Sequence, residues 1–306
     1  MNIIYKFKRG ECYLLTKDAR IGFIGTGVMG SSMAKRIMHA GYSVSIYTRT
    51  KQKAEALISA GADWEDSIAD LAKKCTVIIT MVGYPSDVEE VYFSDQGILK
   101  NASKGSYFID MTTSKPKLAI QIAKEAEKKG CLALDAPVSG GDIGAKNGKL
   151  TIMVGGQEQA FHDVLELFQT MGDNIILQGE AGAGQHTKLA NQITIASNMI
   201  GVCEAIAYAK KTGLDPERVL DSITAGAAGS WSLSNLAPRM IKGDYAPGFY
   251  VKHFIKDMKI ALESAEELGL STPGLALSLR LYQELEANGE ADSGTQALIK
   301  LISTQQ

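Results

Sequence analysis

Apolar and polar positions follow two rhythms along this chain. Up to about residue 180, short apolar runs rich in β-branched side chains alternate with stretches of helical period. The runs at 20–24, 42–47, 76–82, 106–110, 132–135, 149–154 and 174–177 predict strands. The stretches at 51–60, 67–73, 86–93, 117–128 and 157–170 predict helices, with Ser86 as an N-cap and Gly61 and Gly130 as stops. Such alternation argues for a parallel sheet covered on both faces. Beyond Gly179 the rhythm changes. Residues 185–211, 216–224, 251–267 and 273–287 read as helices, and no further strand is clear. The longest, 185–211, would span roughly 40 Å at the usual rise per residue. It is apolar on nearly all sides from 193 to 209, which predicts burial all round, at a domain or subunit interface.

Between the first strand and the helix that follows lie Gly25, Gly27 and Gly30 in G-x-G-x-x-G spacing. Met29, Met33, Ile37 and Met38 then recur at helical period, so the third glycine opens a helix. Gly25 permits the turn, Gly27 lets backbone approach a pyrophosphate, and Gly30 lets helix and strand pack closely. The free N–H groups of this turn, with Thr26, Val28 and Met29 between its glycines, would face a diphosphate. Alone the pattern is weak; between an apolar strand and an amphipathic helix it points to dinucleotide binding. The predicted fold class is therefore α/β, a Rossmann doubly wound, mostly parallel sheet followed by an all-α domain. The expected units are an extension at 1–18, an NADP-binding domain at 19–182 and a helical substrate and oligomerisation domain at 183–306.

Composition narrows the alternatives. The chain has 306 residues, 45% hydrophobic and 22% charged, with net charge −2. That balance shows no electrostatic footprint for nucleic acid or an anionic membrane. The apolar stretch 193–209 is broken by Asn198 and Glu204, so no transmembrane helix is predicted. Cys12, Cys75, Cys131 and Cys203 are scattered and form no metal-ligand spacing with the four histidines. No metal is expected, and a cytoplasmic location fits. Residues 1–18 carry Lys6, Lys8 and Arg9 but no apolar core or cleavage site. They read either as a native extension or as an annotation artefact, with translation starting near Leu14 or Leu15; the intact mass of natively expressed protein separates the two.

Three further segments point to chemistry. An acid is expected about 20 residues after the glycine turn to bind an adenosine ribose, and none is present. The second strand instead runs into Thr48, Arg49, Thr50 and Lys53. Arg49 offers a planar fork to a 2′-phosphate, with Thr50 adding a hydroxyl and Lys53 a charge, which predicts NADP over NAD. The bland alternative is an exposed basic helix start. Asp135-Ala-Pro-Val-Ser139-Gly140-Gly141-Asp follows a strand at its carboxyl end. Ser139, Gly140 and Gly141 offer a hydroxyl and unshielded N–H groups, a carboxylate cradle or else a simple loop. Finally Lys188, Asn191 and Gln192 stand at i, i+3 and i+4 near the start of the long helix, hence on one face. Desolvation would lower the pKa of Lys188 and suit it to proton transfer. Periodicity equally allows Lys188 to lie exposed in the first turns.

These blocks, in order GFIGTGVMGSSMA, DAPVSGGDIGA, GAGQHTKLANQ and Lys256-Asp257, resemble the β-hydroxyacid dehydrogenase family over residues 19 to about 298. That family includes 3-hydroxyisobutyrate dehydrogenase, tartronate semialdehyde reductase and the glyoxylate/succinic semialdehyde reductases. The resemblance implies a Rossmann domain joined to a helical domain, with the active site between them. It implies that Lys188 is the catalytic lysine and Asn191 orients substrate. Ser139, Gly140 and Gly141 match the substrate-carboxylate loop. Thr113 matches the threonine near the nicotinamide ribose, Met81 and Val82 the loop lining the dinucleotide, and Lys256 the late lysine near the nicotinamide end. Trp231 lies where members add substrate contacts, or else marks a glycine-rich helix boundary. Thr112 replaces a frequent serine, and Thr48 stands where NAD-dependent members carry an acid.

The expected activity is NADP(H)-dependent reduction of a small semialdehyde or 2-oxo acid to its hydroxy acid, by a homodimer or homotetramer. NAD-linked 3-hydroxyisobutyrate oxidation and a non-catalytic NADP-binding protein are the competing expectations.

Overall fold

The structure is a computed structural model that describes residues 16–304. Apart from residues 16–18, the expected extension and its alternative start lie outside the described residues. Among the described residues nine strands form one sheet: β1 (Arg20–Ile24), β2 (Ser43–Tyr47), β3 (Asp63–Trp64), β4 (Val77–Thr80), β5 (Tyr107–Asp110), β6 (Leu132–Asp135), β7 (Val138–Ser139), β8 (Leu150–Gly156) and β9 (Gly172–Gly179). The helices on and between them are α1 (Val28–His39), α2 (Glu55–Ser59), α3 (Ile68–Lys74), α4 (Pro85–Phe93), α5 (Ile98–Asn101), α6 (Pro116–Lys128), α7 (Gly141–Asn147) and α8 (Glu158–Gln169). A helical layer follows: α9 (Ala183–Lys211), α10 (Pro216–Ile223), α11 (Trp231–Asn235), α12 (Ala237–Ile241), α13 (Val251–Glu267), α14 (Pro273–Leu285) and α15 (Leu298–Thr304).

Strands run in the order β3-β2-β1-β4-β5-β6, and neighbours in this run are parallel. Their side chains alternate between two cores. Val77 and Ile79 face α1, while Ile78 and Phe108 pack with α3, α4 and α6. β1 has β2 on one side and β4 on the other, so the chain winds outward from it in both directions. The crevice past its carboxyl end is where such sheets bind ligands.

One departure from a wholly parallel sheet was not legible. β8 runs antiparallel to β6 and β7, which follow one another along its edge, and is parallel to β9. A parallel crossover needs a dozen or more residues, and only the short α7 lies between β7 and β8. Two helix expectations also shift. Residues 51–60 begin as a 3-10 turn, Lys51–Ala54, before α2. Tyr84, rather than Ser86, caps α4: Pro85 takes the first helical position, and Asp87 Oδ2 accepts the Tyr84 N–H at 3.0 Å.

Within a single chain α9 is not buried all round. Met199, Cys203 and Ile206 are in the helical core, but Ala190, Thr194, Ser197, Gly201, Glu204 and Tyr208 form an exposed stripe.

Candidate active site

The glycine turn is built as its spacing requires. Gly25 has φ +97°, and a Cβ on it would lie 2.2 Å from the Met81 carbonyl oxygen. A Cβ on Gly30 would lie 1.9 Å from the Gly25 carbonyl oxygen, so α1 rests directly on the turn. A Cβ on Gly27 would meet nothing within 4 Å. The space beside Gly27 is therefore open to a ligand, while the other two glycines are filled by the protein. Among the described residues the buried Thr26 hydroxyl has no hydrogen-bond partner, and Val28 is 51% exposed at the start of α1. An orphaned hydroxyl, an open backbone and a 12-residue helix pointing its N-terminus outward fit a diphosphate.

Met81 and Val82 are half-buried beyond β4, next to this turn. The Val82 N–H donates to Thr112 Oγ1 at 3.0 Å, and Thr112 N–H donates to the buried Asp110 at 3.1 Å. Thr80 Oγ1 donates to the same Asp110 oxygen at 2.8 Å. Burial pushes the Asp110 carboxyl up to about 6, against these hydrogen bonds, which favour its charge. The loops after β4 and β5 are thus tied to each other beside the crevice. Arg49, Thr50 and Lys53 are exposed past the end of β2.

Lys188 is placed by contacts far from it in sequence. Asp135, at the end of β6, accepts the N–H groups of Gly182 at 2.7 Å and Gln185 at 2.8 Å. This carboxylate caps the start of α9 and clamps it to the sheet. A Cβ on Gly184 would lie 2.4 Å from the Met153 carbonyl oxygen, so only glycine allows the approach. The first turns of α9 are therefore covered, and Lys188 is 7% exposed. Its Nζ makes no hydrogen bond or ion pair among the described residues. Burial brings its pKa down to about 8; the Asp257 carboxylate opposes that shift and the Lys256 ammonium adds to it.

Asn191 and Gln192 share the face of Lys188. Asn191 Nδ2 donates to Gln192 Oε1 at 2.8 Å, and Gln192 Nε2 donates to Asp257 Oδ2 at 2.6 Å. On α13, Lys256 pairs with Asp257 at 2.9 Å and donates to the Thr113 carbonyl at 2.7 Å. Gln185, fully buried, accepts the Ser114 N–H at 2.9 Å and donates to the Thr112 carbonyl at 2.7 Å. So the structure ties Asn191, Gln192, Asp257, Lys256 and Thr113 into one network that joins the helical layer to the sheet, and it sets Lys188 within electrostatic reach of Asp257 and Lys256.

Ser139 ends β7, and Gly140 and Gly141 open α7 with φ +127° and +62°. They lie within six residues of Asp135 in the chain, and a Cβ on Gly141 would lie 3.6 Å from the Gly248 carbonyl oxygen, in the segment before α13. Trp231 is 64% exposed at the start of α11 and, among the described residues, shares no hydrogen bond, ion pair or ring contact with Lys188, Asn191 or Lys256. Sequence reasoning overlooked Gln185 and the cap made by Asp135. Nothing in local pattern marks a glutamine whose two partners lie 71 and 73 residues away. Among the described residues no cluster of metal-ligating side chains occurs, and no helix is long and apolar enough to cross a membrane.

A glycine turn built for a dinucleotide, followed by a buried lysine near the start of the helical layer, is the arrangement of a nicotinamide-dependent dehydrogenase built from a Rossmann sheet and a helical layer. Known proteins agree. Residues 20–179 match the NAD binding domain of 6-phosphogluconate dehydrogenase, and residues 182–302 match the NAD-binding domain of NADP-dependent 3-hydroxyisobutyrate dehydrogenase. The chain belongs to the β-hydroxyacid dehydrogenase family and is an NAD(P)-dependent oxidoreductase acting on CH–OH groups. It is 64% identical to the uncharacterised oxidoreductase YkwC of Bacillus subtilis, over 92% of this chain and 98% of that one. It is 50% identical to a probable 3-hydroxyisobutyrate dehydrogenase-like protein of Arabidopsis thaliana, over 92% and 84%. The 2-hydroxy-3-oxopropionate reductase of Escherichia coli is 38% identical, over 92% and 97%. The solved structure of Mycobacterium tuberculosis 3-hydroxyisobutyrate dehydrogenase with L-serine superposes with TM-score 0.86 at 29% identity, over 93% of this chain and 99% of that one.

Proposed function

We propose that this protein is an NADP(H)-dependent reductase of a small semialdehyde or 2-oxo acid, with Lys188 as the general acid and base. The observation that carries the reading is a lysine 7% exposed, without an ion-pair partner, whose pKa burial brings to about 8. A group poised near neutrality can donate and accept a proton at useful rates.

The nicotinamide, when bound, supplies the hydride in reduction and takes it in oxidation. Lys188 gives its proton to the carbonyl oxygen during reduction and takes it from the hydroxyl in the reverse direction. Ser139 and the N–H groups of Gly140 and Gly141 hold the substrate carboxylate, and Asn191 orients the reacting end. Thr113, Met81, Val82 and Lys256 line the nicotinamide half of the cofactor, and Trp231 extends the substrate side. The turn with Thr26, Val28 and Met29 holds the diphosphate. Arg49, Thr50 and Lys53 hold a 2′-phosphate, and the absence of an acid at Thr48 supports that choice. Positioning and fixed charges supply most of the rate.

NADPH oxidation followed by absorbance against glyoxylate and succinic, tartronate and methylmalonate semialdehydes, repeated with NADH, tests this. A NADPH-linked rate with a member of the panel supports it. Silence across the panel with cofactor still bound contradicts it. Preference for NADH would favour NAD-linked 3-hydroxyisobutyrate oxidation; the plant relative bears the name of a probable 3-hydroxyisobutyrate dehydrogenase-like protein. We further propose that the exposed stripe of α9 associates with a second copy, giving a homodimer or homotetramer.

A further inference from the structure

Arg49 already has a partner. Its Nη2 lies 3.1 Å from Asp87 Oδ1, and its side chain is 72% exposed. Asp87 is 14% exposed, and its second oxygen accepts the Tyr84 N–H at the start of α4. The carboxylate is therefore fixed by the backbone, and the arginine is the movable member of the pair. Both lie past the carboxyl end of β1. Ile24 is in register with Tyr47 on one side and Thr80 on the other, so the segments leading to Arg49 and to Asp87 flank the glycine turn.

A 2′-phosphate approaching Arg49 meets a guanidinium shared with a carboxylate and a like charge beside it. The two anions compete for one fork of donors. Because its arginine is largely in water, the ion pair is weak and can be displaced, but the repulsion from the fixed, mostly covered carboxylate remains. NAD, with no 2′-phosphate, feels neither effect.

We propose that Asp87 is a specificity-determining residue that competes with the 2′-phosphate for Arg49 and so sets the ratio of NADP to NAD affinity. This rests on Arg49 being the 2′-phosphate ligand. Asp87→Asn removes the charge and keeps an oxygen for the Tyr84 N–H. Dissociation constants for NADPH and NADH, measured by nicotinamide fluorescence on wild type, D87N, R49A and the double variant, test it. We expect D87N to tighten NADPH about fivefold, a Coulomb effect of two like charges near the surface, and to leave NADH within about twofold. In the R49A background the gain from D87N shrinks to the repulsion alone. A D87N protein that binds NADPH no more tightly overturns the proposal, as does an equal change for both nucleotides, which would report damage to the α4 cap. Should D87N fail to fold, Asp87→Ser removes the charge with a shorter acceptor and is read the same way. Failure of the underlying reading has its own signature: R49A then leaves NADPH affinity unchanged, which overturns both statements. R49A losing NADPH while D87N gains nothing overturns only the role of Asp87.

Discussion

Lys188 is a cation that the fold keeps out of water, and that has a thermodynamic consequence. Its folded pKa of about 8 lies below its ordinary value of 10.5. Between these two values the unfolded chain binds a proton that the folded chain does not, so stability from this group rises with pH across that window. Below about 8 the buried charge costs its full penalty, of order 3 kcal/mol. Lys188→Met is expected to raise the melting temperature at pH 7, with the gain fading as pH rises from 8 towards 10.5; thermal melts over that range check it. Asp257 counteracts the depression. Asp257→Asn should therefore move the Lys188 titration to lower pH, read as an earlier fall of kcat/KM for reduction; an unmoved profile contradicts the network described. That Lys188, Asn191 and Gln192 share a face was legible from spacing. That this face is buried was not, because the cap that covers it comes from Asp135, 47 residues before Gly182.

The element on which binding depends is the strand–turn–helix of β1 and α1. Its three glycines are unlike one another, and substitution should show it. Gly30→Ala places a methyl against the Gly25 carbonyl, so helix or turn must shift. A loss of about 1–3 kcal/mol in stability and at least tenfold in cofactor affinity is expected. Gly27→Ala meets open space, so its melting temperature should stay at that of wild type while cofactor affinity falls. Chemical unfolding and cofactor titration of the two variants separate these outcomes; equal destabilisation would contradict the assignment. The spacing made these roles legible because strand, turn and helix are contiguous. Elements held by distant partners were not. β3 has two residues and exists because it pairs with β2, and β7 has two residues and exists because it pairs with β8. α4 starts at Pro85 because Asp87 reaches back to Tyr84, a contact that an apparent serine cap hid.

At the scale of the molecule, the change of rhythm near Gly179 marked where sheet gives way to helices, and α9 begins at Ala183. What joins the two layers is mostly buried. Exposed pairs such as Lys115–Glu263, 2.6 Å, are each worth about 0.2–1 kcal/mol and cannot hold the crevice together. Gln185, Asp135 and the Lys256–Thr113 contact do so. The exposed stripe of α9 ends in Tyr208, 70% exposed. Light scattering is expected to give a dimer or tetramer, and Tyr208→Glu to lower that mass with each chain still folded. A wild-type monomer would show that the stripe is simply solvent-facing.

The proposed mechanism has one buried lysine move the proton. The pH dependence of kcat/KM in both directions, for wild type and Lys188→Ala, is the decisive measurement. Reduction is expected to fall as pH rises through about 8 while oxidation rises through the same value, and K188A is expected to retain cofactor affinity but lose both limbs with nearly all turnover. Profiles flat from pH 6 to 10, or a K188A enzyme with the wild-type profile, would contradict it.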